Sequence, residues 1–349
     1  MKILTIAVTI MLLQVLSFAQ ELCKPKAFPQ FEFSKENVFP ADKSLKRPED
    51  GKMLPDGRIV VGDDDHGLRV IEKDGKHRPF GKFKEAGYKN APPDQPGAPN
   101  GVFLESNGKY LLVADVYTGF IYRVDVKTEE SRIIYRHEYG VNSVLRETDG
   151  TIWFTQSAKN NLSTGSAALY SVINEPEPTG AVFRLEGAGF DVNGRAKMVA
   201  DGIFFANGIA MSKDRLFVAE TMLDRVLVYN IDRKSVALRN RQTYTNVLSP
   251  DNLLADNIGN LYIASPVSNS VFAVDAKCES LHRVFSAPSA SNTKAQDAWV
   301  SGSRTGKPLI TVLSPQTFEP MPGILTGMFL SHDGKSLYVT GLGNALVKN

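Results

Sequence analysis

The sequence predicts an all-β fold, a six-bladed β-propeller. Three observations support this prediction: a degenerate repeat occurs six times, four of its six hairpin turns carry Asp-Gly or Asn-Gly, and no long stretch shows a clean helical period. Each copy joins a polar residue and an apolar strand, through a turn, to a second strand rich in aromatic and β-branched residues. Asp-Gly and Asn-Gly between apolar runs favour hairpins because both central residues adopt positive φ.

The copies share the spacing from the polar residue to the turn, while the segments between copies vary in length. This is typical of propeller blades, in which the hairpin is constant and the connecting loops absorb insertions. The polar residues that begin the six copies are Glu49, Asn100, Asn142, Asn207, Asp251 and Thr326.

The sixth copy ends at Asn349, after two or three strands, whereas a complete blade has about four. The apolar segment 28–33 is predicted to supply the missing strand, because an open sheet edge promotes aggregation. The alternative is that this segment is a mobile leader. Two long insertions, at 156–179 and 286–320, interrupt the repeat, and such structureless insertions are often lids or binding loops.

The first 19 residues have the pattern of a secretory signal peptide: a charged start, an apolar run, and Ser17-Phe18-Ala19 as the cleavage signal. An uncleaved membrane anchor is the alternative, but the run is short for a spanning helix. We therefore expect a single propeller domain over residues 20–349, secreted or periplasmic, with no membrane span after cleavage. Cys23 and Cys278 are the two cysteines, and the sequence leaves open whether they form a disulfide.

The net charge is +2, with both signs mixed along the chain, which gives no electrostatic case for nucleic acid or an anionic membrane as partner. The oligomeric state stays open.

In a propeller the innermost strands line the central channel, so the six polar residues are expected to form a ring at one end of it. Their carboxylate and amide oxygens are the ligands that Ca²⁺ prefers, whereas softer transition metals prefer Cys or His. The ring therefore predicts a divalent cation, Ca²⁺ before any other. The alternative is that these are ordinary turn residues, since Asn and Asp are common there.

Several of the repeats resemble the superfamily that includes senescence marker protein/gluconolactonases, paraoxonases and strictosidine synthase-like proteins. The resemblance is diffuse over about residues 45–345 and concentrated in four motifs, at 48–57, 141–155, 205–220 and 250–264. It implies that the catalytic calcium is bound by Glu49, Asn142, Asn207, Asp251 and also Asn252.

The sequence departs from paraoxonases at two positions. Asn100 stands where they have one of a pair of histidines proposed to activate water, and we assign it to substrate binding. Ser143 replaces an Asp that, together with the residue matching Asp50, helps to hold a second, structural calcium in paraoxonases. The second calcium site is therefore in doubt.

The first functional hypothesis is a calcium-dependent hydrolase of small-molecule lactones or related esters, with Asp251 as the general base. A second is a non-catalytic propeller that binds a ligand or a protein and uses calcium structurally, because fold alone does not determine function. A third is a strictosidine synthase-like enzyme. Metal-dependent turnover of a lactone panel separates the first from the other two.

Overall fold

The structure is a computed structural model that describes residues 23–91, 96–186, 196–235 and 237–349. Within these ranges the strands form six sheets, five with four strands and one with five. Four of these sheets are built only from consecutive antiparallel strands, and the other two add one strand from the N-terminal segment. This is the arrangement of a six-bladed propeller and confirms the predicted fold class. The predicted signal peptide at 1–19 lies outside the described residues.

Two short strands, β1 (Phe31–Glu32) and β2 (Val38–Phe39), precede the first blade. The strands of blade 1 are β3 (Gly51–Met53), β4 (Ile59–Asp63), β5 (Gly67–Ile71) and β6 (His77–Phe80). Those of blade 2 are β7 (Pro99–Leu104), β8 (Tyr110–Asp115), β9 (Phe120–Asp125) and β10 (Ser131–Arg136). Those of blade 3 are β11 (Val144–Arg146), β12 (Ile152–Gln156), β13 (Gly180–Leu185) and β14 (Lys197–Ile203).

The strands of blade 4 are β15 (Ala206–Ser212), β16 (Arg215–Glu220), β17 (Arg225–Asp232) and β18 (Ala237–Asn246). Those of blade 5 are β19 (Leu253–Ala255), β20 (Leu261–Ser265), β21 (Ser270–Val274) and β22 (Leu281–Ser286). Those of blade 6 are β23 (Gly323–Leu330), β24 (Leu337–Gly343) and β25 (Leu346–Lys348). Three short 3₁₀ turns lie at Lys35–Asn37, Thr221–Leu223 and Ile310–Val312.

The core lies between neighbouring blades. Leu54 and Val60 of blade 1, for example, belong to the same buried cluster as Leu111 and Val113 of blade 2. The hairpins form where the sequence predicts them, but only the glycine of each Asp-Gly or Asn-Gly turn has positive φ, as at Gly57 with φ +87°, a conformation that favours glycine. Tight turns fix the register of each strand pair, and this register decides which side chains reach the channel.

The N-terminal segment closes the ring, but not with the residues predicted. Blade 6 is completed by β2, in which Val38 pairs with Val347 and Phe39 with Leu346. The segment 28–33 instead supplies β1, which pairs in parallel with β22 and makes blade 5 five-stranded. The prediction that 28–33 completes the last repeat is therefore wrong. The physical reason is that its three phenylalanines pack on the apolar cluster between blades 5 and 6, which leaves only the following residues to reach β25.

A disulfide joins Cys23 to Cys278, with 5.6 Å between their Cα atoms. Cys278 lies in the turn between β21 and β22, so the bond attaches the N-terminal segment to the same blade that β1 extends. In the part of the chain that the structure describes, no helix has the length and apolar character needed to span a membrane.

The two insertions are not structureless, contrary to the sequence analysis. The first contains α1 (Gly165–Asn174), and the second contains α2 (Ala290–Thr305) and the single turn α3 (Pro315–Phe318). Ser289 caps the N-terminus of α2 by accepting a hydrogen bond from the Asn292 N–H, 3.1 Å away. The helical period is weak in the sequence because few residues of each helix are buried, among them Leu169 and Ile173 of α1.

Candidate metal centre

One cavity of about 120 Å³ collects the polar residues that begin the six repeats. The structure brings all six predicted ring residues to its lining: Glu49, Asn100, Asn142, Asn207, Asp251 and Thr326. Each of them is buried, with at most 9% of its surface exposed. The metal-binding roles implied for four of them stay a prediction, but their convergence at one place is a feature of the fold.

Glycines allow the inner strands to approach each other closely around this cavity. A Cβ atom on Gly208, which follows Asn207, would lie 2.5 Å from the Asp251 carbonyl oxygen. A Cβ on Gly327, which follows Thr326, would lie 3.0 Å from the Glu49 carbonyl oxygen. Any other residue would therefore push neighbouring blades apart and separate the polar side chains.

Glu49 is held firmly on one side and leaves one oxygen free. Its Oε1 accepts a hydrogen bond from Nδ2 of Asn252 at 3.0 Å, and its backbone carbonyl accepts from the hydroxyls of Thr326 and Thr340 at 2.9 and 2.8 Å. Its Oε2 is buried and has no hydrogen-bond partner among the described residues.

Asn207 shows the same pattern. Its Nδ2 donates to the hydroxyl of Thr221 at 3.2 Å, which fixes the amide, while its Oδ1 is buried without a partner among the residues described. A buried oxygen without a partner costs free energy, because it loses its hydrogen bonds to water. The cavity therefore presents two unsatisfied oxygen acceptors, from Glu49 and Asn207.

The surroundings of the cavity disfavour the charged forms of Glu49 and Asp251 when no cation is bound. Burial first, and then the adjacent Asp50, raises the pKa of Glu49 to about 8. Burial, and then Glu49, raises the pKa of Asp251 well above its ordinary value. A divalent cation would remove this repulsion, since its charge matches two carboxylates. The donor set, which contains oxygen and neither sulfur nor imidazole, fits a hard cation such as Ca²⁺.

Asn252 lies behind Glu49. Its amide nitrogen donates to Glu49, and its side chain also borders a second cavity of about 480 Å³ together with Asp50, Lys52 and Ser143. Asn252 therefore contacts the candidate site through the Glu49 carboxylate. A direct bond from its carbonyl oxygen to the metal stays a prediction.

A lysine occupies the position beside Asp50. Lys52 Nζ lies 3.1 and 3.2 Å from the two carboxylate oxygens of Asp50, one of which also accepts a hydrogen bond from the Val102 N–H. The ammonium group neutralises the carboxylate that would be needed for a second cation. This agrees with the doubt that Ser143 raises about a second calcium.

Asn100 connects two parts of the ring. Its Nδ2 lies 3.2 Å from both the side-chain and backbone oxygens of Asn142, and its Oδ1 accepts from Arg47 at 3.4 Å. Arg47 also lines the cavity and pairs with Asp64 at 2.7 Å. Arg47 was not predicted from the sequence. It lies outside the strands of the repeat, with φ +57°, and its carbonyl accepts a hydrogen bond from the Glu49 N–H at 2.8 Å, so no strand periodicity points to it.

The insertion helices contribute apolar side chains to the wall of the same cavity. Leu169, Tyr170 and Ile173 come from α1, and Trp299 comes from α2. The insertions therefore border the candidate site, and a role for them as lids or binding loops stays a prediction. The sequence analysis missed these residues, because nothing in one sequence indicates where a long insertion folds back.

The acidic run near the end of β4 is a separate group. Ligand atoms of Asp63, Asp65 and His66 lie within 4.8 Å of one another. However, Asp63 Oδ2 accepts from Arg69 Nε at 2.9 Å, and its Oδ1 is 2.8 Å from the His66 ring. An arginine therefore already neutralises this carboxylate.

Comparison with known proteins identifies the family that the chain resembles. Residues 135–296 match the sequence model of the SMP-30/Gluconolactonase/LRE-like region, which confirms the resemblance inferred from the motifs. The matched segment contains Asn142, Asn207, Asp251 and Asn252 but not Glu49. No curated protein matches the sequence.

Solved structures share the fold at low sequence identity. A gluconolactonase from Xanthomonas campestris is 16% identical, with 94% of this chain and 95% of that one covered and a TM-score of 0.61. A regucalcin from Agrobacterium tumefaciens, described as a calcium-binding protein, is 12% identical, with 92% and 95% covered and a TM-score of 0.59. A luciferin-regenerating enzyme is 14% identical, with 89% and 94% covered and a TM-score of 0.55.

Proposed function

We propose that this propeller, which resembles the SMP-30/gluconolactonase family, is a calcium-dependent hydrolase of lactones or related esters. The observation that carries the proposal is a pair of buried oxygens, Glu49 Oε2 and Asn207 Oδ1, in a cavity that Asn142 and Asp251 also line. Within the described ranges of the chain, neither oxygen has a hydrogen-bond partner. The gluconolactonase and the calcium-binding regucalcin among the structural neighbours support the same class of function. The disulfide supports a location outside the cytosol.

Calcium bound here would supply Lewis-acid polarisation of the substrate carbonyl and stabilise the negative charge that develops on its oxygen. Glu49, Asn142, Asn207 and Asp251 would hold the ion. Asp251 would accept a proton from water as the water oxygen bonds to the carbonyl carbon. It would return this proton to the departing oxygen as the acyl C–O bond breaks, which releases a hydroxy acid, or an acid and an alcohol. Asn100, fixed between Arg47 and Asn142, would orient the substrate.

Calcium is expected to bind with a stoichiometry of one per chain and to raise the melting temperature. The ion relieves the repulsion between Glu49 and Asp251, and at about 100 times its Kd it adds ~2.7 kcal/mol to the free energy of unfolding. Glu49→Gln removes a charged ligand, and we expect its affinity to fall by at least about 100-fold. Isothermal titration of chelator-treated protein measures both quantities.

Asp63→Asn is the matched control for this titration, because it removes a buried carboxylate from the other group of candidate ligands. Its calcium affinity is expected to be unchanged. A loss of calcium binding in Asp63→Asn together with normal binding in Glu49→Gln would assign the ion to the group of Asp63, Asp65 and His66 and would contradict this proposal.

Hydrolysis of a panel of lactones and aryl esters is expected only in the presence of calcium. The panel is assayed with EGTA and again after calcium is restored in excess. Stoichiometric calcium binding without turnover of any substrate would favour the non-catalytic propeller, and turnover that survives complete metal removal would exclude the proposed mechanism.

A further inference from the structure

The cavity at the candidate metal centre has a polar side and an apolar side. The apolar side is made by Leu169 and Ile173 of α1, Trp299 of α2, Phe205 before β15 and Met222 after β16. All five side chains belong to one buried cluster and are at most 9% exposed. A substrate carbonyl at the polar ring would therefore place the rest of the molecule against hydrocarbon.

The polar atoms on the apolar side already have protein partners. The Trp299 indole N–H donates to Asp224 Oδ1 at 3.0 Å, and the hydroxyls of Tyr117 and Tyr170 lie 3.0 Å from each other. A substrate with several hydroxyl groups would lose hydrogen bonds to water here without replacing them, which is unfavourable. An alkyl group would lose nothing and would gain contacts with the wall.

The volume also limits the substrate. At about 120 Å³, the cavity is small beside the usual range for drug-sized ligands. An engineered apolar cavity of about 150 Å³ in another protein binds benzene. One small ring, with at most a short substituent, fits a space of this order.

We propose that the substrate is a small monocyclic lactone with no substituent or a short alkyl group, and that a polyhydroxylated sugar lactone is excluded. Trp299 is the specificity-determining residue, because it is the largest side chain of the apolar wall and its N–H bond to Asp224 fixes its position. The kinetic test of this inference rests on the proposed hydrolase function. A binding test, which needs no turnover, tests the inference independently of that function.

The binding test uses lactams, which have the shape of lactones but resist hydrolysis. The chain has two tryptophans, so Trp153→Phe leaves Trp299 as the only fluorescent indole. In calcium-loaded Trp153→Phe, we expect δ-valerolactam to change the tryptophan emission in a saturable manner and gluconolactam to leave it unchanged. Saturable binding of gluconolactam with no response to δ-valerolactam would overturn the inference, whatever the protein catalyses.

The kinetic test compares lactones. We expect kcat/KM for δ-valerolactone to exceed that for glucono-δ-lactone by at least about 100-fold. Trp299→Phe shortens a side chain of the apolar wall and so enlarges the cavity, and it should improve kcat/KM for a propyl-substituted δ-lactone relative to the unsubstituted one by about tenfold, mainly through KM. Trp153→Phe is the matched control, because Trp153 is also buried but does not line this cavity. Its indole N–H donates to Glu147 Oε1 at 2.7 Å.

The outcomes are distinct. If no lactone or ester is hydrolysed, the proposed function fails, and the lactam titration alone decides the present inference. If lactones are hydrolysed but glucono-δ-lactone is preferred, or if Trp299→Phe behaves like Trp153→Phe, this inference is wrong while the hydrolase proposal stands.

Discussion

Asp251→Asn is expected to lower the turnover number by about 10²–10⁴-fold while the protein still binds calcium. The substitution keeps a side-chain oxygen in the place of the carboxylate but removes the group that can accept a proton from water. Glu49 stays as a charged ligand, so the cation should be retained with a lower affinity. Steady-state kinetics at saturating calcium, with the metal content measured on the same sample, separates loss of the base from loss of the ion.

Asp50→Asn is the matched control for this experiment. Asp50 is also a buried carboxylate near Glu49, but it pairs with Lys52 and borders the second cavity rather than the candidate metal centre. We expect turnover within a few-fold of the unchanged protein. A metal-loaded Asp251→Asn protein with full turnover would leave Asp251 a ligand only and would assign the base to another group.

Deletion of residues 20–40 is expected to lower the melting temperature by about 10 °C or more. The deletion removes the disulfide, the three phenylalanines that pack between blades 5 and 6, and the strand β2 that completes blade 6. The disulfide contributes ~2–4 kcal/mol and each phenylalanine ~1.5 kcal/mol, and for a chain of this size 1 kcal/mol corresponds to roughly 2 °C. Differential scanning calorimetry measures the effect.

Two further variants divide this effect. Deletion of residues 20–34 removes the disulfide and β1 but leaves Val38 and Phe39 paired with β25. Cys278→Ala removes the disulfide alone. We expect the melting temperature to fall in the order Cys278→Ala, then the shorter deletion, then the longer one. Equal melting of the two deletions would mean that β2 contributes nothing to the closure of blade 6.

The sequence predicted the blades and the ring because both depend on local order. An Asp-Gly or Asn-Gly turn fixes the register of its hairpin, and the period of two then fixes which residue points into the channel. Glu49 and Asn142 could therefore be selected from their positions relative to turns that lie far apart in the chain, at Asp56-Gly57 and Asp149-Gly150. The glycines after Asn207 and Thr326 are a further signal in the sequence, because each stands where the backbone of a neighbouring blade leaves no room for a Cβ atom.

The parts that were missed depend on contacts between distant segments. Segment 28–33 and Val38–Phe39 are both short and apolar, and only the geometry of blades 5 and 6 decides which of them reaches β25. Trp299 lies in a helix with a mostly polar sequence, and its contact with Asp224 holds it in the wall of the candidate metal centre. Neither contact leaves a periodic pattern in the sequence.

The bond between Cys23 and Cys278 turns most of the molecule into one covalent loop. Residues 23–278 include all of blades 1 to 4 and the inner strands of blade 5. If a protease cuts the backbone once anywhere inside this loop, the two fragments stay joined through the disulfide. The cut protein remains a single molecule, held also by the pairing of β1 with β22 and of β2 with β25, until a reductant separates the fragments.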